Sequence, residues 1–313
     1  MAVNVAQGVS FLSQTGVGVL GNSVLITLYL TSFLMGSKLK PTELTIIHLA
    51  LVHTVMLLTR WIVMASGMLG LQLVQNDAEC KLFIYVYRMT RALSICTTSL
   101  LSVVQAITIS PSTSYLFQLK VQIPKAICPV LAILWIPNSL ISTNLLFQTF
   151  ASSNTTNTDT NCYLVPINTI LQELILTFMA LRDILSLGLM SCCSGYMVLL
   201  LHRHGHRVQH LHSPSQTPKT LPERRATHTI VLLVSCFVVF YCGDFVFSMF
   251  LGTSMKNNAA LLNAAMFVAS GYATISPFVL LTCDRRVIVF LADFLGNRTL
   301  KSPHTTVLSA SPL

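Results

Sequence analysis

Seven long apolar stretches are the feature that most restricts how this chain can fold. A spanning helix needs about 20 predominantly apolar residues to cross a hydrocarbon core roughly 30 Å thick. Only 9% of the residues are charged, which is far below the usage of a soluble domain. The chain is therefore predicted to be a polytopic membrane protein. The predicted spans lie near residues 9–35, 43–68, 81–109, 125–148, 168–201, 227–252 and 259–283.

The continuity of these apolar runs selects between the two architectures that cross membranes. Barrel strands show about ten residues of alternating polarity, whereas these runs are longer and continuously apolar. The predicted fold is an all-α membrane protein, a seven-transmembrane helix bundle formed by residues 1–283, with residues 284–313 as a tail. The sequence shows no internal repeat, and its loops are too short for a second domain.

The distribution of Lys and Arg predicts the orientation of the bundle. With the amino terminus outside, thirteen basic residues near the span ends face the cytoplasm, against only Lys81 and Lys256 outside. We therefore predict an external amino terminus, an uncleaved first span and a cytoplasmic carboxyl terminus. Most of the formal net charge of +9 is then this orientation bias, so the basic composition does not indicate nucleic-acid binding.

The segment HRHGHRVQHLH, residues 202–212, contains five of the nine histidines. Its spacing does not suit zinc, because His202, His204 and His206 share a face only in an extended chain. His206 and His210, by contrast, share one only in a helix. We interpret the segment as a basic helical extension of span five toward anionic lipid headgroups, with no metal bound.

Four motifs follow one another along the chain. They are LLSVVQAITISP at 100–111, HRHGHRVQHLHS at 202–213, PERRATHTIVLLVSCFVVFY at 222–241 and PFVLLTCD at 277–284. Together they resemble the vomeronasal type-1 receptors, a family of G-protein-coupled pheromone receptors, and the resemblance covers essentially the whole chain. It implies a plasma-membrane receptor for small pheromones or related chemosignals, with no enzymatic activity and no cofactor.

The chain is also distantly similar to rhodopsin-like receptors, through Asn22, Trp135 and Pro277. Other hallmarks of those receptors differ. The Asp expected in span two is replaced by His53, and residues 104–106 read Val-Gln-Ala where span three should end in Asp-Arg-Tyr. The ionic-lock mechanism of activation therefore cannot be transferred to this chain.

Two of the nine cysteines, Cys80 and Cys162, lie near the predicted outer membrane face. That compartment is oxidising, and the top of span three can approach the loop after span four, so we predict that these two residues form a disulfide. The family resemblance implies the same bridge. The alternative is two free thiols.

The loop that contains Cys162 also carries a glycosylation sequon, Asn154-Thr155-Thr156. It lies on the predicted outer side, so we expect Asn154 to be glycosylated. A second sequon, Asn297-Arg298-Thr299, falls in the predicted cytoplasmic tail and is expected to stay unmodified.

Four charged residues fall within one layer of the predicted outer half. Counting about 1.5 Å per residue from the outer span ends, Arg60, Arg88 and Asp244 lie roughly 12 Å deep, and Arg91 lies about 16 Å deep. A charge in the membrane is costly unless it is paired or hydrated, and therefore marks a functional site by default. We hypothesise that the layer forms the floor of an external ligand cavity. The predicted ligand-binding residues are Arg60, Tyr87, Arg88, Arg91, Tyr241, Asp244 and Tyr272.

The arginine excess in this layer favours a ligand with an anionic head, such as a sulfate or carboxylate, on an apolar body. The alternative is a buried Arg–Asp pair that fixes the helix packing and contacts no ligand. Deeper in span five, Arg182 is adjacent to Asp183 and is a candidate for an internal ion pair.

The resemblance also implies a partner on the cytoplasmic side, a heterotrimeric G protein of the inhibitory type. The implied surface comprises the ITISP end of span three, the basic loop 202–225 and the start of span six. The alternative for its basic residues is a role in membrane orientation, facing lipid. The candidate contacts are Arg203, Arg207, Arg224 and Arg225.

Three other functions are weighed against the receptor. A transporter of small amphiphiles should show repeats or matching Gly and Pro interruptions in two halves, and the sequence has neither. An intramembrane enzyme should show a motif such as HExxH or GxSxG, which is absent. A receptor relic that folds without signalling remains an alternative.

Overall fold

A computed structural model describes residues 2–69, 76–111, 116–153, 160–164, 168–211, 232, 234–243 and 259–282. Within these ranges the chain forms helices and one short hairpin. The helices are α1 (Ala2–Leu34), α2 (Pro41–Leu69), α3 (Asp77–Ile109), α4 (Leu116–Ser142), α5 (Asn144–Gln148), α6 (Thr169–Leu211), α7 (Val234–Gly243) and α8 (Ala259–Leu281). The strands are β1 (Thr149–Ser153) and β2 (Thr160–Leu164).

Five helical segments are long and apolar enough to cross a membrane, which agrees with a helical membrane bundle. They are Gly8–Leu34, Pro41–Val63, Asp77–Ile109, Gln118–Phe147 and Thr169–Leu200, and they correspond to the first five predicted spans. The predicted sixth span is described only in part, by α7, and the seventh corresponds to α8, with Ser270–Leu281 as a shorter apolar helix.

Helix α3 lies at the centre of the bundle. In its apolar stretch 72% of the residues are buried, against 6% in the stretch of α6. It packs against α2, α4 and α6, while α1 packs against α2 and α8. The outward faces of the peripheral helices expose large apolar side chains such as Leu140 and Ile184, as expected of surfaces that contact lipid.

The start of α3 is set by local capping. Asn76 adopts an extended backbone, and its side chain accepts a hydrogen bond from the Glu79 amide at 2.9 Å. Asp77 and Glu79 place negative charge in the first turn, where the helix dipole favours it. The helix therefore begins four residues before the predicted span start at 81.

Helix α6 continues well beyond its apolar stretch, to Leu211. Residues 202–211 are therefore helical, which confirms the predicted helical extension of span five.

The segment that follows α5 departs from the wholly helical prediction. It was expected to be a loop, but β1 and β2 pair in antiparallel register, with Ala151 opposite Cys162. Thr, Phe and Tyr suit strands, and backbone pairing satisfies groups that an irregular loop leaves to water. The hairpin lies against α3 and α2, at the predicted outer end of the bundle.

Small residues in α1 allow α8 to approach it closely. A Cβ atom added at Gly21 would lie 3.0 Å from the Pro277 Cγ atom, so the contact depends on the missing side chain. One residue further, the Asn22 Nδ2 group donates to the Ala273 carbonyl at 3.0 Å and to the Gly18 carbonyl at 2.7 Å. This amide therefore ties α8 to α1 in the buried part of the bundle.

Candidate functional site

Arg60 of α2 is held by aromatic side chains from two neighbouring helices. Its Nη1 atom donates to the Tyr87 hydroxyl of α3. The guanidinium carbon lies 5.0 Å from the Tyr87 ring centroid and 5.9 Å from that of Phe11 in α1, within the range of cation–π attraction. The structure thus brings together two predicted site residues, and adds Phe11, which sequence reasoning missed.

Arg88 of α3 has a much weaker partner. Its Nη2 atom contacts the Met179 sulfur of α6, and a thioether is only a weak hydrogen-bond acceptor. No carboxylate contacts Arg88 among the residues that the structure describes. Arg91 and Arg182 lie within electrostatic range of it.

Arg182 is neutralised within its own helix. Its Nη2 atom lies 2.8 Å from the Asp183 Oδ1 atom, and its Nε atom donates to the same oxygen at 2.9 Å. A third contact, from Nη1 to the Asn138 Oδ1 atom of α4, measures 3.2 Å. The internal pairing predicted for Arg182 is confirmed. Asp244 of the predicted layer lies outside the described residues.

A chain of buried hydrogen bonds joins four helices through His53. The His53 Nε2 atom lies 2.7 Å from the Ser94 Oγ atom, and its Nδ1 atom lies 3.2 Å from the Ser276 Oγ atom. The Tyr241 hydroxyl donates to Ser94 Oγ at 3.2 Å. Helices α2, α3, α7 and α8 are thereby connected. Sequence reasoning noted His53 as a departure from rhodopsin-like receptors and missed this role.

Tyr272 lies deep in the same region and is 2% exposed. Its ring meets the His53 ring edge-on at 5.5 Å between centroids and lies 5.7 Å from the Tyr241 ring. Its hydroxyl lies 3.2 Å from the Thr98 Oγ1 atom. The structure therefore places two of the three predicted site tyrosines, Tyr241 and Tyr272, against each other in the core. Their contact with a ligand stays a prediction.

A second histidine, the half-buried His48, joins α2 to α3 and α4. The Trp135 Nε1 group donates to the His48 Nε2 atom at 3.0 Å, and His48 Nδ1 lies 3.2 Å from the Thr97 Oγ1 atom. An indole N–H can only donate, so Nε2 is the acceptor, and a neutral ring then donates from Nδ1 to Thr97. Both histidines of α2 thus take part in contacts between helices.

At the predicted cytoplasmic end, α3 contacts α6 again. The Ser110 Oγ atom lies 2.8 Å from the Tyr196 hydroxyl. The Lys120 ammonium donates to the Thr108 carbonyl at 2.8 Å, so it satisfies one of the last carbonyl groups of α3.

The predicted G-protein contacts lie only partly in the described chain. Arg203 is exposed on α6, and Arg207 belongs to the same helix, although its side chain is not described. Arg224 and Arg225 fall outside the described residues. The cytoplasmic surface that they were predicted to form therefore stays a prediction.

The structure describes the side chain of only one of the two cysteines that were predicted to form a disulfide at the outer face. Cys80 is fully buried in the first turn of α3 and is disulfide-bonded. Cys162 lies in β2, but its side chain is outside the described part of the chain, so the pairing of the two stays a prediction. The sequon asparagines Asn154 and Asn297 also fall outside the described residues.

Comparisons with known proteins agree over almost the full length of the chain. Residues 5–293 match the model of the vomeronasal organ pheromone receptor family. Vomeronasal type-1 receptor 45 from Mus musculus is 36% identical over 287 residues, which cover 90% of each chain. Vomeronasal type-1 receptor 90 from Rattus norvegicus is 36% identical over 294 residues, which cover 92% of this chain and 94% of that protein.

Proposed function

This chain belongs to the vomeronasal type-1 receptor family, and we propose that its ligand is a small amphiphile with an anionic head that binds Arg88. Family membership makes the chain a multi-pass plasma-membrane receptor of the G-protein-coupled type rather than an enzyme. The proposal concerns which chemical class it detects and how the signal leaves the membrane.

The observation that carries the proposal is the unequal pairing of the arginines. Arg60 has an aromatic partner on each side, and Arg182 has a carboxylate. Arg88 faces a thioether, which cannot offset the cost of placing a cation within a membrane. A sulfate or carboxylate oxygen would form a short, charge-assisted hydrogen bond with the same guanidinium.

The apolar part of the ligand has a matching environment. Met179, which contacts Arg88, is a flexible side chain that adapts to irregular apolar shapes. The described neighbours of the arginine layer include the aromatic rings of Phe11 and Tyr87. An apolar body attached to an anionic head would therefore rest on side chains that suit it.

The proposed topology completes the receptor. Seven helices cross the membrane with the amino terminus outside and the carboxyl terminus in the cytoplasm, as the distribution of basic residues requires. A Cys80–Cys162 disulfide attaches the hairpin to the outer end of α3, and Asn154 carries a glycan on the same side. Both modifications belong to the exported face.

The proposed transducer is a heterotrimeric G protein of the inhibitory type. Its docking surface is formed by the inner end of α3, the basic loop 202–225 and the start of the sixth span, with Arg203, Arg207, Arg224 and Arg225 as contacts. Ligand binding in the outer half would favour one packing of the helices over another and thereby change this surface.

The experiment measures nucleotide exchange on an inhibitory-type G protein in membranes that contain the receptor. Steroid sulfates, small carboxylates and neutral volatiles are tested against the native chain, Arg88→Gln and Arg88→Lys. A charged hydrogen bond of about 1.5–3 kcal/mol corresponds to a loss of roughly 10- to 150-fold in potency. We expect that loss for Arg88→Gln with anionic ligands only, and a smaller loss for Arg88→Lys because it keeps the charge.

Lys81→Gln is the matched control, because it removes a cation from the outer end of the same helix without touching the proposed anchor. Surface expression of each variant is measured in parallel. An unchanged anion response in surface-expressed Arg88→Gln would overturn the assignment of Arg88. Uptake of a labelled anion without any nucleotide exchange would instead support a transporter.

A further inference from the structure

Helices α1, α2 and α8 meet at Gly18. A Cβ atom added there would lie 2.7 Å from the Leu57 Cδ1 atom of α2 and 3.0 Å from the Thr274 Oγ1 atom of α8. Both distances are shorter than normal van der Waals contact, so the three helices are in direct contact at this level of the bundle.

One turn toward the predicted outer face, each of these helices carries a polar residue. Gln14 precedes Gly18 by four residues, and Ser270 precedes Thr274 by four, while Arg60 follows Leu57 by three. Because α2 runs opposite to α1 and α8, these offsets all lead in the same direction along the bundle. The three polar residues therefore lie at one level.

A hydrogen bond of Gln14, a ring contact of Arg60 and the burial of Ser270 place these residues between the helices. The Gln14 Nε2 group donates to the Phe267 carbonyl of α8 at 3.0 Å, and the Arg60 guanidinium lies against the Phe11 ring of α1. Ser270 is 1% exposed and Gln14 is 8% exposed. The residues are thus directed between the helices and not toward lipid.

Each residue of this trio has one buried polar atom without a hydrogen-bond partner in the described part of the chain. The atoms are the Gln14 Oε1, the Arg60 Nε and the Ser270 Oγ. The first only accepts a hydrogen bond, the second only donates one, and the serine hydroxyl does either. Three buried polar groups without partners are costly in a membrane unless a further group forms hydrogen bonds with them.

We propose that Gln14, Arg60 and Ser270 form a second binding site, between α1, α2 and α8, that holds a hydroxyl group. A hydroxyl oxygen accepts from the Arg60 Nε–H group while its proton is donated to Gln14 Oε1, and Ser270 completes the set. An anionic oxygen cannot donate to Gln14, so this site selects a neutral group where Arg88 selects an anion. The hydroxyl belongs either to a bound water or to the ligand.

The first test needs no ligand. The Tm of the purified full chain is measured for Gln14→Leu, Ser270→Ala and the double variant. If a bound water joins the two residues, Ser270→Ala lowers the Tm by about 2–4 °C, and the double variant loses less than the sum of the single losses because both residues bind the same water. If the groups are unpaired, Ser270→Ala leaves the Tm unchanged or raises it.

Ser99→Ala is the matched control. Ser99 is a buried serine of α3 whose hydroxyl also has no partner among the described residues, and it lies outside the trio. Its replacement is expected to leave the Tm unchanged or to raise it. Because Ser270→Ala alters only one hydroxyl, it stays informative even if Gln14→Leu fails to fold after losing its bond to Phe267.

The second test identifies the source of the hydroxyl and rests on the proposed function. Nucleotide exchange is compared for a steroid sulfate that carries a free hydroxyl and for the same sulfate without it. If the ligand supplies the group, Ser270→Ala brings the potency ratio of the two compounds close to one. If a bound water supplies the hydroxyl, Ser270→Ala leaves the potency ratio of the two compounds unchanged and still lowers the Tm.

The two tests separate the failure of this site from the failure of the proposed function. A non-additive Tm loss without exchange for any compound leaves the site standing and refutes the ligand assignment. The absence of both the Tm loss and the change in ratio overturns the site.

Discussion

Replacement of His53 by Leu tests whether the buried hydrogen-bond chain holds the helices together. His53 is 1% exposed, and its two ring nitrogens contact Ser94 and Ser276 on different helices. Leu is similar in size and apolar, so the substitution removes both contacts without leaving a large cavity. Ser94 keeps the Tyr241 hydroxyl as a donor, whereas the Ser276 hydroxyl loses its only hydrogen bond within the described residues.

The magnitude follows from these two contacts. Hydrogen bonds between membrane helices average about 0.6 kcal/mol and reach about 1.7 kcal/mol, so the pair contributes roughly 1–3 kcal/mol. The stranded Ser276 hydroxyl adds about 1–3 kcal/mol of unpaired burial. We expect a destabilisation of about 2–6 kcal/mol, which lowers the Tm by roughly 4–24 °C at about 2–4 °C per kcal/mol.

The assay is thermal unfolding of the purified receptor, with surface expression as an independent measure. The double variant His53→Leu with Ser276→Ala removes the stranded hydroxyl and should recover part of the lost Tm. Ser276→Ala alone should cost less than His53→Leu, because it breaks one contact. A native Tm for His53→Leu, or a double variant no more stable than the single one, would refute this account of the core.

Two further predictions concern the helix junction and the outer loop. Gly18→Ala should lower the Tm, because its methyl group would lie 2.7 Å from the Leu57 Cδ1 atom. The control Gly16→Ala should leave the Tm unchanged or raise it, because a methyl group there meets nothing within 4 Å. Equal Tm changes for the two variants would contradict the packing of the three helices. Treatment with an N-glycosidase should increase the gel mobility of the native chain and of Asn297→Gln, but not that of Asn154→Gln, and the reverse pattern would invert the proposed topology.

The helical spans were predictable because they depend on local sequence. Apolar length alone located the first five, and the adjacency of Arg182 and Asp183 was enough to propose their ion pair. The hairpin was missed because its two five-residue strands are short and separated by residues 154–159. Only the pairing of one strand with the other distinguishes such a segment from a loop.

The partners of the buried polar groups could not be predicted from the sequence. In a soluble helix, the apolar stripe identifies the face that points into the protein. A membrane helix has apolar residues on all sides, so the sequence does not show which face of α2 meets α3. His53 and Ser276 are 223 positions apart, and only the rotation of both helices brings them together.

The same limit explains why four charges at one depth were treated as equivalent. Depth follows from counting residues, but the partner of each charge depends on helix rotation. The packing separates Arg60, which is enclosed by aromatic rings, from Arg88, which faces a thioether. An anionic ligand gains the most binding free energy at the arginine with the weakest partner, because the contact that it displaces there is the weakest. We therefore propose Arg88 as the ligand anchor of this layer, while Arg60, which donates to Tyr87, joins the proposed hydroxyl site to α3.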